Sequence, residues 1–176
     1  MRRWRQLDRR LRELEDRAEI SRLMASYGPC VDSGLGQAAA GLWAQDGIYD
    51  TDAQMMDEPA AIEAMVGEDP HQGYIRNGSA HVPSISAIDI DGDTAVAIGY
   101  SHLFLRAGDA FQVARASANR WEFVRTGDGW LVKRRVTRLL SGSAEARELL
   151  GQIAGTGPGR RLTKRNEVPP VEHGEH

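Results

Sequence analysis

The chain has a single cysteine, Cys30, which cannot close an internal disulfide, so the sequence predicts a reducing, cytoplasmic setting. No apolar run approaches the length of a membrane span, and no hydrophobic segment of an export signal follows the basic start MRRWR. A large excess of one charge is missing too. With 22 Lys and Arg against 25 Asp and Glu, the net charge is −3, which argues against nucleic acid as the main partner. Without export, the pattern Asn77-Gly78-Ser79 carries no weight as a glycosylation site. The glycines of GTGPGR, from residue 155, have no strand before them leading into a helix, so they read as a loop and not as a nucleotide site. What is present is ordinary for a globular domain: 176 residues, 41% of them hydrophobic, enough for one substantial core and too few for two.

The first third of the chain has helical spacing. Leu7, Leu11, Leu14 and Ala18 form one stripe of a strongly charged helix, in which Glu13 and Arg17 make a favourable i,i+4 pair. Asp16 followed by Glu19 resembles a capping box, so a second helix is expected to start there at an angle. Its buried stripe is Ile20, Leu23, Met24, Tyr27 and Val31, and Asp32-Ser33-Gly34 ends it. A short helix is predicted from Gln37 to Gln45, anchored by Leu42 and Trp43, then a brief strand from Ile48 to Thr51. A third helix is expected after Asp57, with Pro59 in its first turn and Ile62, Met65 and Val66 inward.

From about His81 the period changes to two. Strands are predicted from Val82 to Ile90, Thr94 to Leu105, Phe111 to Arg125 and Trp130 to Leu140, joined by turns such as Asp91-Gly92-Asp93. Helices first and an antiparallel meander after them is the α+β pattern. Such a sheet, curved and with helices on its concave face, makes a cone-shaped barrel. The chain divides into a charged helical extension (1–13), the domain (14–140), and a short helix with a mobile tail (141–176). One face of the long strand carries Val113, Arg115, Ser117, Asn119, Trp121 and Phe123, and polar groups mid-strand among bulky ones suit a ligand cavity. The alternative is a face turned to solvent or to another subunit.

These pieces occur in a recognisable order: LEDRAEISRLMASY, LWAQDGIYD, AIEAM, GSAHVPS, IDIDGDTAVAIGY and WEFVRTGDGWLVKRRV. The series resembles the SnoaL-like branch of the nuclear-transport-factor-2-like superfamily, and in particular scytalone dehydratase and bile-acid 7α-dehydratase type proteins. The resemblance spans roughly residues 14–140. It implies that Asp32, closing the first main helix, pairs with His81, opening a later strand. It also implies a functional Tyr27, five residues before the aspartate, and an arginine near the end of the last strand, for which Arg138 is the nearest match and Arg134 and Arg135 are alternatives. Ser117-Ala118-Asn119 reproduces a family segment on the long strand. Val31 and Thr51 stand where scytalone dehydratase has tyrosines, which argues against scytalone as substrate. Tyr27 stands where the dehydrochlorinase of the family has lysine.

A histidine backed by a carboxylate can take a proton beside a carbonyl and return it to a departing hydroxyl. The resemblance therefore implies a cofactor-independent lyase, dehydratase-like, acting on a hydrophobic hydroxylated carbonyl compound such as a polyketide, steroid or aromatic catabolite. Isomerase or cyclase chemistry is the neighbouring possibility. The catalytic set is His81, Asp32 and Tyr27. The substrate-binding set is Asn119, Ser117, Arg138, Trp121, Leu103, Leu105, Met65 and Trp43, and no metal or organic cofactor is required. A homodimer or homotrimer is expected, with neither nucleic acid nor membrane as partner. The alternatives are a non-catalytic ligand-binding or assembly domain, or a structural partner like a dioxygenase β-subunit. His71 reads as a loop residue, His102 as an outer-face residue, and His173 and His176 as part of a solvated tail.

Overall fold

A computed structural model of the chain describes residues 1–155. The predicted tail beyond them, with His173 and His176, lies outside the described residues.

The first element, α1 (Arg2–Asp32), is one uninterrupted helix. The break expected at Asp16 does not occur. That carboxylate is engaged in tertiary bonds instead of capping: Arg125 donates Nη1 and Nη2 to its two oxygens at 2.6 Å each, and Trp130 donates its indole N–H at 3.0 Å. Arg125 also lies 4.4 Å over the Trp130 ring. Glu19 accepts the Trp130 backbone N–H at 2.9 Å, so both acids of the supposed capping box hold the helix to the sheet. The Arg125 hydrogen bonds, working against burial, hold the Asp16 carboxyl below its ordinary range. Asp16→Ala should destabilise the fold by about 2 kcal/mol, less than for a fully buried pair because Arg125 is partly open to solvent. A urea midpoint that stays within error of wild type would contradict this.

After α2 (Gly36–Ala40), the chain enters strand β1 (Trp43–Asp50), so the helix predicted to reach Gln45 ends five residues early. Trp43 pairs with Val132 across the sheet and its backbone is drawn into the ladder. The short β2 (Met55–Met56) leads to α3 (Pro59–Gly67), whose Ile62 and Val66 are buried as the spacing predicts. A further helix, α4 (His71–Asn77), lies where a loop was expected.

The predicted strand from Val82 to Ile90 is two strands, β3 (Ser79–Pro83) and β4 (Ala87–Asp91), both antiparallel to β5 (Thr94–Ala107). Pro83 has no N–H to continue the ladder. Next to it the Ser84 hydroxyl accepts the Tyr100 N–H at 2.8 Å, which diverts the chain. β6 (Ala110–Thr126) and β7 (Gly129–Leu139) follow as predicted, and α5 (Ala144–Gly151) packs Ala146 and Leu149 on Ala118 of the convex face.

The seven strands form one curved, unclosed sheet in the order β2-β1-β7-β6-β5-β3, with β4 on β5. The sheet is mixed, because β1 runs parallel to β7. The main core lies between the concave face and α1, where Ile20, Met24, Tyr27 and Val31 meet Trp121, Phe123 and Val132. Burial of such side chains stabilises by about 1.5–3 kcal/mol each. Among the described residues no helix is long and apolar enough to cross a membrane.

Candidate active site

The site lies where the C-terminal end of α1 crosses β3. Gly28 permits that crossing: a Cβ there would overlap the carbonyl oxygen of His81. With the two backbones in contact, Asp32 faces the start of β3 and accepts three hydrogen bonds. The His81 ring Nδ1 meets Oδ1 at 2.7 Å, the His81 backbone N–H donates to Oδ2 at 2.7 Å, and the Ser79 hydroxyl donates to Oδ1 at 2.7 Å. Burial raises the Asp32 pKa, but the bonds from the His81 ring, the His81 backbone and Ser79 outweigh it and hold the carboxyl below its ordinary value. An ionised Asp32 fixes the imidazole with Nδ1 protonated. Nε2 makes no hydrogen bond among the described residues. The atom is not sealed off from solvent, and His81 lines the adjoining cleft.

Two rings hold the imidazole from the sides. His71, on α4, stacks on it with centroids 5.2 Å apart and planes 16° apart, and its own Nε2 meets the Val31 carbonyl at 3.0 Å. Tyr27 presents an edge to it at 6.4 Å. Burial, more than the proximity of His81, pushes the His71 pKa below its ordinary value, although the Val31 carbonyl opposes this. Because the folded-state pKa is lowered, protonation favours the unfolded chain. Stability should be full above the ordinary imidazole value, about 6.5, and fall as pH drops through the lowered folded value. Asp32 adds a second, more acidic loss of the same sign, below its own ordinary value. Urea midpoints at mildly acidic and neutral pH should differ in wild type and converge in His71→Gln; equal slopes in the two proteins would contradict this.

The cleft's far wall is built around Arg135, which is 3% exposed. Its guanidinium lies 4.4 Å from the Tyr27 ring centroid, 4.7 Å from Tyr49 and 4.1 Å from Trp121. Its Nε and Nη2 donate to Asn119 Oδ1 at 3.0 and 2.9 Å, and Thr137 donates to the same oxygen. Asn119 in turn donates to the Ser101 hydroxyl at 2.7 Å. Arg135 Nη1 is the one buried side-chain nitrogen or oxygen without a partner among the described residues, and Arg135 lines the cleft. A buried cationic donor left unpaired costs free energy, so Nη1 has hydrogen-bonding capacity for a water or for an acceptor that reaches it. The Tyr27 pKa is pushed far above its ordinary value by burial and by Tyr49, so the phenol stays neutral and can only be a hydrogen-bonding group. The free volume of the cleft is about 30 Å³, room for a water or two. Arg115 stands at its rim, exposed.

Of the residues singled out in the sequence, Asp32, His81 and Tyr27 come together at one end of the cleft, and Ser117 and Leu103 line it. Asn119 lies beneath, bonded to Arg135. Trp121 and Trp43 are core rings behind the wall, 2% and 3% exposed. Met65 packs on the main core from α3, and Leu105 pairs with Ser79 beyond the cleft. Arg138 is displaced from the expected position: it pairs with Ala118 on the convex side and binds Asp50 at 2.8 Å. Arg134 shares that carboxylate, which leaves Arg135 as the cleft arginine. His71 was missed because a histidine beside Asp69-Pro70 gives no periodicity signal. Tyr49 lies inside the expected strand from Ile48 to Thr51, but four residues are too few for an alternation that would mark it as inward. Among the described residues no three His, Cys, Asp or Glu side chains gather as metal ligands.

The SnoaL-like domain family matches residues 12–136. A crystallised NTF2-like protein with a cystatin-like fold from Novosphingobium aromaticivorans is 43% identical, with a TM-score of 0.80 over 82% of this chain and 94% of that one. A protein from Catenulispora acidiphila, solved in complex with S-DNPA, is 22% identical with a TM-score of 0.61, covering 69% of this chain and 91% of its own. ActVI-ORFA from Streptomyces coelicolor is 17% identical with a TM-score of 0.62, covering 70% and 96%; these last two likenesses speak for the fold alone. No curated protein matches the chain. With the family spanning most of the described residues, and a relative this similar over most of its length, the chain belongs to the SnoaL-like family of NTF2-like proteins.

Proposed function

We propose that the protein is a cofactor-independent dehydratase acting on a hydroxylated carbonyl compound, with His81 as the single acid and base. The observation that carries this reading is the division of labour on one imidazole: Nδ1 is held by an ionised Asp32, while Nε2 is open to the cleft. A neutral imidazole so held takes the proton next to the substrate carbonyl on Nε2. Asp32 stabilises the imidazolium that results. The negative charge moves to the carbonyl oxygen, and the enolate is met by Arg135 Nη1, the donor without a partner, and by the neutral phenol of Tyr27. The imidazolium then returns the proton to the β-hydroxyl, which leaves as water, and the dyad is restored. The aromatic lining of Tyr27 and Tyr49, backed by Trp121, suits a hydrophobic substrate. Such a substrate enters by moving side chains at the mouth, where Arg115 is exposed.

The small free volume favours a second reading, in which the same fold binds a ligand or a protein subunit without turnover. The experiment that separates them is a screen of β-hydroxy carbonyl compounds for loss of water, with His81→Ala as control. Turnover by wild type that His81→Ala lacks supports the dehydratase. Compounds bound by wild type and variant alike, and left unchanged, would favour the binding domain.

A further inference from the structure

The first half of α1 carries an apolar stripe that the protein's own fold does not use. Residues 3–15 are exposed on every side, ahead of the first buried position at Asp16. Within them Trp4, Leu7, Leu11 and Leu14 are 77%, 47%, 55% and 64% exposed. The spacing is three, four, three, which is the a/d alternation of a coiled-coil seam. At roughly 100° per residue this stripe points almost directly away from the Ile20, Met24, Tyr27 and Val31 stripe that the domain buries. The helix therefore cannot bury both stripes against its own sheet, and the outward one remains for another molecule.

We propose that this segment pairs with the same segment of a second copy, as a parallel two-stranded coiled coil. The charges beside the seam select that occupant and that direction. With Trp4 and Leu11 at a and Leu7 and Leu14 at d, Arg3 and Arg10 fall at g, and Asp8 and Glu15 at e. A parallel pair sets each g residue against the e residue five positions on in the partner, so Arg3 faces Asp8 and Arg10 faces Glu15. An antiparallel pair would set arginine against arginine and acid against acid. Arg3, Arg10 and Glu15 make no ion pair within the described residues of the chain, and Asp8 has only an exposed one with Arg12. A membrane surface fits less well, because the acids flank the apolar edge, where lipid headgroups would lie. Growth from a helix that the domain already holds removes the nucleation cost that makes so short a coil marginal alone.

Sedimentation equilibrium of the full chain should give about twice the 19.4 kDa chain mass at tens of micromolar, and the chain mass in Leu7→Glu/Leu11→Glu. Both residues lie outside the domain core, so far-UV dichroism and the unfolding midpoint of the domain should change little. Leu7→Cys and Leu14→Cys should each oxidise to a dimer through identical positions, which only the parallel register allows for both. Arg10→Glu should weaken the dimer about tenfold, and Arg10→Glu/Glu15→Arg should restore it. An unchanged mass in the double-glutamate variant, whether monomer or dimer, would overturn the proposal. So would either cysteine variant failing to cross-link, or wild type remaining a monomer that anionic vesicles capture through Trp4.

Discussion

His81→Gln should lower the rate of water loss by about 10²–10⁴, the usual weight of a positioned acid–base group, with KM changed little. Glutamine keeps a donor for Asp32 but has no nitrogen that can take and return a proton. Asp32→Asn should cost a similar factor for a different reason. An amide in place of the carboxylate no longer favours the Nδ1-protonated ring and does not stabilise the imidazolium. Both variants should stay folded, since they leave the aromatic core intact, and a circular dichroism melt checks that. If His81→Gln turns over a substrate as fast as wild type, the dyad is structural and the mechanism fails. Arg135→Met adds an independent arm: it should depress kcat while leaving the His81–Asp32 hydrogen bond in place.

Gly28→Ala is the second large effect, and it acts on the fold and the site together. The added methyl group would sit inside the contact distance of the His81 carbonyl oxygen, which belongs to backbone in a paired strand and not to a side chain that can rotate away. Either α1 or β3 has to move. Both atoms of the clash lie within a few residues of the three hydrogen bonds to Asp32. The expected loss is about 3 kcal/mol, at the upper end for overpacking. For a chain of this size that is roughly 6–12 °C in Tm. Activity should fall even at temperatures where the variant is folded, because a shift of an ångström at His81 separates the ring from its carboxylate. Ala25→Gly, one turn earlier and exposed, is the control and should cost about 1 kcal/mol through helix propensity alone. Equal melting points for Gly28→Ala and wild type would mean that the helix–strand contact is looser than described.

Strand periodicity was legible where the ladder is regular and misleading where it slips. Ser117, Asn119, Trp121 and Phe123 alternate inward along β6 as the pattern predicts. On β7 the register shifts opposite Glu122 and Phe123, leaving Lys133 as an extra residue. Unbroken alternation from Trp130 and Val132 would turn Arg134 and Arg138 inward; the bulge turns Arg135 inward and sends those two to Asp50. A bulge costs one unpaired residue and leaves no mark in composition, so which of three neighbouring arginines faces the cleft could not be read locally. The capping-box reading of Asp16 and Glu19 failed for a related reason. Those residues fit a local motif, but Arg125 and Trp130, more than a hundred residues away, offered them stronger partners. His71 was invisible because its role depends on stacking against another histidine ten positions on, across a turn.

The amino-acid order by itself determined the α+β class, the inward stripe of α1, the alternation along β6, and the stripe of Leu7, Leu11 and Leu14 in the first helical turns, but not which way that last stripe faces. All of these are short-range periodicities set by 3.6-residue and two-residue repeats, and they survive without knowledge of what packs where. Tertiary structure decided everything that depends on two distant segments meeting. It brought Asp32 to His81 across 49 positions, turned Arg135 in place of Arg138 into the cleft, and placed His71 behind the reacting ring. The physical reason is that a hydrogen bond or a stacked ring extends a few ångströms in space and any distance along the chain, and only the packing of α1 against the curved sheet converts one into the other.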